Sequence, residues 1–600
     1  MISWIIWKRN IVHSMNCKES YSHPRPLLKR TSVQILNGWW DFAAGAEEQP
    51  LYQGRIRVPF PPEAALSGIG KHFPEGTELH YSTTAVLTPE MKQIIAAGGR
   101  LLLHIDAADQ HCRVLLGGAE LGRHTGGYEH CSFDLTSALC SGNDEERSSI
   151  ADSYALQIIT TDDLRDLTQP YGKQVMKRGG MWYTPFSGLW QSVWLEAVPA
   201  VYVEEIRIRT DMEQARIQLI LNTGAPASGT LHIMAPGGEW TVPFEEGFAM
   251  VRPEQPHLWS PEDPYLYRFR AQLSAPAQDR FESYFALRAV GTVQVGGISR
   301  LTLNGKPYFF NGLLDQGYFS DGLCTPADSR CYDEDILAMK ALGFNLLRKH
   351  IRIEPDAFYE ACDRLGMLVC QDMVNNGRYS FFLDTALPTV GIQHLNDEHR
   401  HRDPAVRQAF EKTMRGCVRQ VGSFPCIIAW TVFNEGWGQF ASAKMTALLR
   451  ELDADGGRII DAASGWFRSG AGDVESLHVY FKAFSMKPAY FKSGRPVVLS
   501  EFGGIAFREP GHCFNPDKTY GYGTANTRRE YAQRVLDLYE NQILPAARAG
   551  LSAAVYTQVS DVEDEINGIL TYDRQVNKLA DPDTRERMRA LSQSLQEAVQ

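Results

Sequence analysis

Apolar positions follow two different rhythms along this 600-residue chain. From about residue 33 to 200 they come in short runs divided by turn residues: "RLLLHIDAAD" (100–109), "HCRVLLGGAEL" (111–121), "YALQIIT" (154–160) and "QSVWLEAV" (191–198). Runs of this length, rich in β-formers and bounded by turn signals, predict strands. No long helical period interrupts them, so an all-β sandwich is expected. A second set, "EEIRIRT", "ARIQLILN", "GTLHIMA", "YRFRAQL" and "SYFALRAVG", fills 201–294 with roughly alternating strands. Its size predicts a small immunoglobulin-like sandwich, in which "LWSPEDPYLY" (258–267) is a Pro-punctuated link between two strands.

After about residue 295 buried strands alternate with helices. The strand runs are "YFFNGLL", "GFNLLRKH", "GMLVCQD", "IIAWTVFNE", "RIIDAAS", "ESLHVY", "RPVVLSE" and "LSAAVYTQ". Helices are expected near 330–342, 355–365, 404–421, 440–454, 526–548 and 583–598. Eight buried strands in this span, with helices between most of them, predict a (β/α)8 barrel. The expected organisation is an extension outside the folded core at 1–30, a jelly-roll β-sandwich at 31–200, an immunoglobulin-like sandwich at 201–294 and the barrel at 295–600.

The totals narrow the class. Six hundred residues exceed what one core supports, in keeping with several domains. The net charge of −11 argues against nucleic acid or an anionic membrane as the main partner. The 11 cysteines include no C-x-x-C pair, which suits reduced thiols and an expected cytoplasmic location. In "MISWIIWKRN" the charge follows a short apolar stretch, the reverse of a secretion signal, and Met15 is an alternative start. No membrane span, metal site or cofactor motif is expected.

In a (β/α)8 barrel the active site forms at the C-terminal ends of the strands. The polar residues there are Asp315 and Gln316, Arg348 and His350, Gln371 and Asp372, Asn434 and Glu435, Asp461, His478 and Tyr480, Glu501, and Tyr556 and Gln558. A nearly complete ring of this kind is hard to explain by packing. Glu435 closes strand four and Glu501 closes strand seven, across the mouth from each other. Carboxylates about 5–5.5 Å apart suit a retaining glycosidase, in which one attacks the anomeric carbon and the other handles the proton. The rings of Phe433, Trp437 and Phe440 around Glu435 would keep it protonated and offer sugar-binding faces. Glu501 must stay ionised, with Arg348 and Tyr480 as its expected partners.

These residues resemble glycoside hydrolase family 2, which holds β-galactosidases, β-glucuronidases and β-mannosidases. The resemblance covers nearly all of the chain after residue 30. It is carried by "VPFPPEAALSGIG" (58–70), "HTGGYEHCSFDLT" (124–136) and "YTPFSGLWQSVWLE" (183–196) in the first domain, "LWSPEDPYLY" in the second, and "LNGKPYFFNG" (303–312), "FNEGWG" and "SEFGG" in the barrel. It implies Glu435 as acid/base, Glu501 as nucleophile, Asn434 on the sugar 2-hydroxyl and Tyr480 against the nucleophile. Arg348, His350, Asp372, His478, Trp466 and Tyr556 are the further candidate substrate-binding residues. Arg348-Lys349-His350-Ile351 departs from the galactosidase and glucuronidase pattern Arg-x-x-His-Tyr-Pro, and Gln371-Asp372 lies nearer the mannosidase-like sequence. The glucuronidase Asn-x-Lys carboxylate clamp has no match, since "INGILTYDR" (566–574) carries Ile569 where Lys is wanted. By the frequency of activities in that family, the resemblance implies a β-galactosidase-like exo-enzyme, with β-glucuronidase or β-mannosidase as alternatives.

Loop 375–402 is long enough to block inner subsites, which favours removal of a terminal sugar. The expected partner is a carbohydrate, and a homo-oligomer is left open. Asp561, Glu563, Asp564 and Glu565 are expected to form a solvated charged loop. A non-catalytic carbohydrate-binding protein on the same fold is the rival reading; keeping both glutamates argues against it. A metal-dependent hydrolase would want His-x-His near strand one, where "LLDQGY" stands instead.

Overall fold

Strand Tyr267–Leu273 alternates buried and exposed at every residue, whereas Phe310–Asp315 and Leu551–Thr557 are buried throughout. The first pattern belongs to an antiparallel sheet with one wet face, the second to a parallel sheet covered on both faces. The computed structural model of the chain describes residues 23–46, 49–140, 150–392, 396–454 and 456–600.

A six-stranded and a four-stranded antiparallel sheet form the first sandwich. The six-stranded sheet runs from Tyr52–Val58 to Ala119–Thr125, and the four-stranded sheet pairs Val33–Ile35 with Val193–Val198. Between them lies a core that includes Trp40, Phe42, Tyr81, Leu103 and Ile158. A three-stranded and a four-stranded sheet form the second sandwich, from Val203–Thr210 to Arg280–Phe285.

The barrel strands are β1 (Phe310–Asp315), β2 (Leu346–Lys349), β3 (Leu368–Asp372), β4 (Ile427–Thr431), β5 (Ile459–Asp461), β6 (Glu475–Val479), β7 (Val497–Gly503) and β8 (Leu551–Thr557). All ladders between neighbours are parallel, in the order β5-β4-β3-β2-β1-β8-β7-β6, so the sheet closes except between β5 and β6. The outer helices are α1 (Arg330–Lys340), α2 (Asp356–Leu365), α3 (Pro404–Val421), α4 (Ser442–Leu452), α5 (Arg528–Leu538) and α6 (Pro582–Glu597). Their starts carry local signals. Asp403 caps α3 by accepting from Ala405 N, with Pro404 at the first helical position, and Asp581 does the same for α6 ahead of Pro582. The helix expected over 526–548 instead widens into a π turn at Tyr539–Ile543 before continuing as Leu544–Arg548. Pro545, which lacks an N–H, sits at that junction.

One expectation is corrected. Residues 23–30 do not lie outside the folded core; the remainder of that stretch, 1–22, with Met15, lies outside the described residues. Leu27 and Leu28 are buried, and Arg30 donates to Glu196 Oε1 at 2.9 Å and to Asp279 Oδ2 at 2.8 Å. This segment therefore ties the two sandwiches together. All ten cysteines among the described residues are free thiols. No helix among those residues is long and apolar enough to cross a membrane.

The feature that shapes the site is the long connection 162–187 of the first sandwich, which reaches over the barrel mouth. Its backbone is pinned there. Tyr171 N donates to Asn375 O at 3.1 Å, Thr184 N to Glu563 Oε1 at 3.1 Å, and Tyr183 OH to Glu565 Oε2 at 2.5 Å.

Candidate active site

Side chains alternate across a strand, so each strand end sends one polar residue into the mouth and the next toward the helices. On β2, Arg348 turns inward. Lys349 turns outward, where it bonds Asp315 and Glu354 and lies 4.2 Å from the Phe358 ring centroid on α2. On β3, Asp372 is inward, while Gln371 accepts from Tyr359 OH of α2 at 2.7 Å. On β8, Thr557 Oγ1 meets Tyr480 OH at 3.0 Å inside the mouth. Tyr556 points the other way, edge-on to Phe502 and packed in the core that holds Tyr531 and Tyr539. Tyr556 shares no hydrogen bond with the inward group, and as a substrate-binding candidate it is corrected to a packing residue of the outer layer.

The inward residues form one network around Arg348, whose side chain is 1% exposed. Its Nη1 donates to Glu501 Oε1 at 2.9 Å, its Nη2 to Asn434 Oδ1 at 2.9 Å, and its Nε to Asp372 Oδ1 at 3.0 Å. Asn434 thus uses its carbonyl oxygen on Arg348, which leaves its amide NH2 as the donor. Tyr480 OH donates to Glu501 Oε2 in a short bond. Burial lowers His350 to about 4, so at neutral pH its Nδ1 proton is the one that bonds Asp372 Oδ2 at 2.8 Å. His350 is thereby held within the network by Asp372.

His478 lies between the two glutamates, with Nδ1 2.8 Å from Glu435 Oε1 and 3.5 Å from Glu501 Oε2. Its Nε2 lies 2.9 Å from Ser464 Oγ and faces Arg348 Nη1 at 3.5 Å. The two Nη1 hydrogens of Arg348 go to Glu501 Oε1 and Ser500 O, so His478 bridges Glu435 and Ser464 through its two ring nitrogens. Trp466 bonds the Glu435 backbone carbonyl through Nε1 at 3.0 Å and meets His478 edge-on. It therefore fixes the turn carrying Glu435. That turn is tight, with Glu435 at φ 50° and Gly436 at φ 78°. A non-glycine residue in the left-handed region is held there by its surroundings and concentrates at functional positions. A Cβ on Gly438 would stand 2.3 Å from Asn376 O, so only glycine fits that step of "FNEGWG".

One oxygen of Glu435 and one of Glu501 lie within 4.8 Å of each other and of a His478 nitrogen. Their environments differ in sign. Burial raises the Glu435 carboxyl, and the charge of Glu501 adds to it against the His478 hydrogen bond. Burial would raise Glu501 too, but His478, Arg348, His350 and the Tyr480 hydroxyl outweigh it and hold it at about 2. A carboxyl raised above its ordinary range beside a carboxylate held ionised is the arrangement suited to a proton donor and a nucleophile at one glycosidic bond. The same three side chains are close enough to hold a cation. The Arg348 guanidinium already occupies the cationic position against Glu501, which disfavours a second positive charge there.

Arg348 compensates Glu501 and Asp372 together, so Arg348→Ala strands two buried carboxylates. Unfolding free energy from urea denaturation near neutral pH is expected to fall by about 3–5 kcal/mol. A loss below about 1 kcal/mol, the size of a surface pair, would contradict this reading of the network.

Two parts of the site were not foreseen. The acids after β8 are not solvated: Asp561, Glu563, Asp564 and Glu565 are each at most 3% exposed. Asp561 pairs with Lys578 Nζ at 2.7 Å, Asp564 with Arg178 at 3.1 Å, and Asn567 donates to Glu565 Oε1 at 3.0 Å. Glu563, Asp564 and Glu565 anchor loop 162–187 on the barrel. That loop also brings in Trp182, stacked on Trp437 at 5.0 Å, and Lys173, whose ammonium lies 5.5 Å from the Trp437 ring centroid. The signal for these was the length of the loop, since long structureless connections in compact domains are commonly functional.

The description "Glycosyl hydrolases family 2, TIM barrel domain" matches residues 293–581, and "Glycosyl hydrolases family 2" matches 201–288. A β-galactosidase of Thermoanaerobacter pseudethanolicus is 23% identical over 59% of this chain and 45% of its own length. A β-glucuronidase of Sus scrofa is 23% identical over 67% of this chain and 63% of its own length. The matches thus span less than two thirds of these relatives. Among solved structures, a Bifidobacterium dentium β-glucuronidase superposes with TM-score 0.70 at 19% identity, over 94% of this chain and 98% of that one, which shows a shared fold.

Proposed function

The chain belongs to glycoside hydrolase family 2, and on that premise we propose that it is a retaining exo-β-glycosidase with Glu501 as nucleophile and Glu435 as acid/base. The observation that carries this is the pair of oxygens within 4.8 Å, one on a carboxyl pushed up and the other on a carboxylate held at about 2.

Glu501 attacks the anomeric carbon as the bond to the leaving oxygen breaks, and Glu435 gives that oxygen its proton. The product is a glycosyl ester on Glu501. Esterification removes the Glu501 charge, one of the forces raising Glu435, so Glu435 becomes a stronger acid and remains ionised. It then takes a proton from water, which attacks the anomeric carbon and releases Glu501. Arg348 and Tyr480 hold Glu501 in line, and the free amide NH2 of Asn434 is the donor for the sugar 2-hydroxyl. Trp182 and Tyr379, packed on the buried Trp437, form an aromatic wall at loop 375–402, which suits a pocket for one terminal sugar rather than an open cleft.

Curated relatives carry both galactosidase and glucuronidase names, so the test is a panel of aryl β- and α-glycosides that includes galactoside, glucuronide and mannoside. Release from a β-glycoside and none from its α-anomer is the expected result. Well-folded protein that releases aglycone only from α-glycosides, or from no member of the panel, would contradict the reading.

A further inference from the structure

Loop 162–187 is more than a brace. Gly172, at φ 64°, turns the backbone next to Tyr128, Lys173 O accepts from Tyr183 N at 3.0 Å, and the Gln174 side chain is bonded to Asp109 and to Phe186 N. Lys173 is therefore held in one place before any ligand arrives. It is 8% exposed, and its ammonium lies 5.6 Å from the Tyr183 ring centroid and 5.5 Å from that of Trp437, two residues beyond Glu435. Among the described residues no carbonyl or carboxylate accepts a hydrogen bond or ion pair from its Nζ. A largely buried side chain that ends in an ammonium without a protein acceptor is unusual, because such groups are ordinarily hydrogen-bonded.

We propose that Lys173, delivered by the first sandwich, is a substrate-binding residue that donates to a hydroxyl of an uncharged glycone, with Glu565 as the companion acceptor. This deepens the glycosidase reading and rests on it. The ammonium lies in the fields of Glu565, Glu501 and Glu435, and burial lowers its pKa. The Glu565 carboxylate accepts from Tyr183 OH and Asn567 Nδ2 and has further lone pairs open. A sugar hydroxyl can accept from Lys173 and donate to Glu565 at once. A sugar carboxylate would attract Lys173 but meet the Glu565 carboxylate, which accepts from the neutral Tyr183 hydroxyl and Asn567 amide. The Lys173–Glu565 pair therefore selects for a hydroxyl where a uronic acid has its carboxylate or another sugar has hydrogen.

The test uses the full-length enzyme with Lys173→Met and Lys173→Arg. Methionine keeps the stem against Trp437 and Tyr183, and thermal unfolding checks that both variants fold. Kinetics are measured on the best neutral aryl β-glycoside and on its monodeoxy series. Lys173→Met is expected to lower kcat/KM on the parent sugar by roughly 10- to 150-fold, the range for a hydrogen bond from a charged group. On one deoxy analogue it should match the wild type, because the hydroxyl it bonds is gone. Lys173→Arg, which keeps the charge, is expected to recover part of the loss.

An equal fall on every deoxy analogue, together with a shifted alkaline limb of the pH profile, would mean that Lys173 acts only on Glu435 and would overturn the inference. So would a loss confined to a uronide. Calorimetric binding of free neutral monosaccharides separates the two levels of the account. A wild type that hydrolyses nothing but binds a neutral sugar through Lys173 defeats the glycosidase reading alone; sugar binding unchanged in Lys173→Met defeats the Lys173 inference.

Discussion

Glu501→Ala is expected to lower kcat on the best aryl β-glycoside on the order of 10^5-fold, the scale of losing a covalent nucleophile. The fall should be in the first chemical step, with no burst of aglycone. Truncation also opens a space beside Arg348 Nη1, which donated to Glu501 Oε1 at 2.9 Å. Azide is an anion small enough to occupy that space. It should restore aglycone release and give the α-glycosyl azide, because it attacks from the face Glu501 used. Restoration with the β-azide would place the nucleophile elsewhere. A fall smaller than about tenfold would mean that Glu501 only organises the charge network.

The second large effect is at Glu435. Glutamine there cannot donate the proton or take it back, and each step should lose about 10^2–10^4-fold where proton transfer matters. A dinitrophenyl glycoside needs little help to leave, so its first step should fall least, and the glycosyl-enzyme should accumulate with a lowered KM. The pH profile separates the roles. On the proposed mechanism, wild-type kcat/KM needs Glu501 ionised and Glu435 protonated. Activity is therefore lost as pH falls through the Glu501 pKa of about 2 and as it rises through the elevated pKa of Glu435. In Glu435→Gln the alkaline limb should vanish, leaving only the acidic one. A wild-type alkaline limb that survives the substitution would belong to another group.

The barrel was legible because its strands are buried on both faces and its helices begin at local caps, signals contained in a few consecutive residues. The placement of Glu435 and Glu501 beside each other at strand ends was legible because a strand end next to aromatic or glycine-rich loops is a local pattern too. Tyr556 misled for a definable reason. Strand ends alternate inward and outward, and Thr557 rather than Tyr556 holds the inward parity. The acids at 561–565 read as solvated because charge density alone does not reveal Arg178, Tyr183 or Thr184, which come from the first sandwich nearly 400 residues away in sequence. Residues 23–30 misled likewise, since the partners of Arg30 are Glu196 and Asp279. Contacts between domains leave no period in the chain; within a domain, period and parity carry most of the information.

The central claim is a covalent glycosyl-enzyme at Glu501. The most direct measurement is mass spectrometry of the enzyme after incubation with an activated 2-deoxy-2-fluoro β-glycoside of the sugar identified by the panel. Fluorine slows both steps, while the activated leaving group lets the first proceed, so the intermediate accumulates. The account predicts a single added glycosyl mass, located by peptic mapping to the peptide containing Glu501 and absent in Glu501→Ala. A label on another carboxylate, or complete turnover with inverted product and no label, would contradict it.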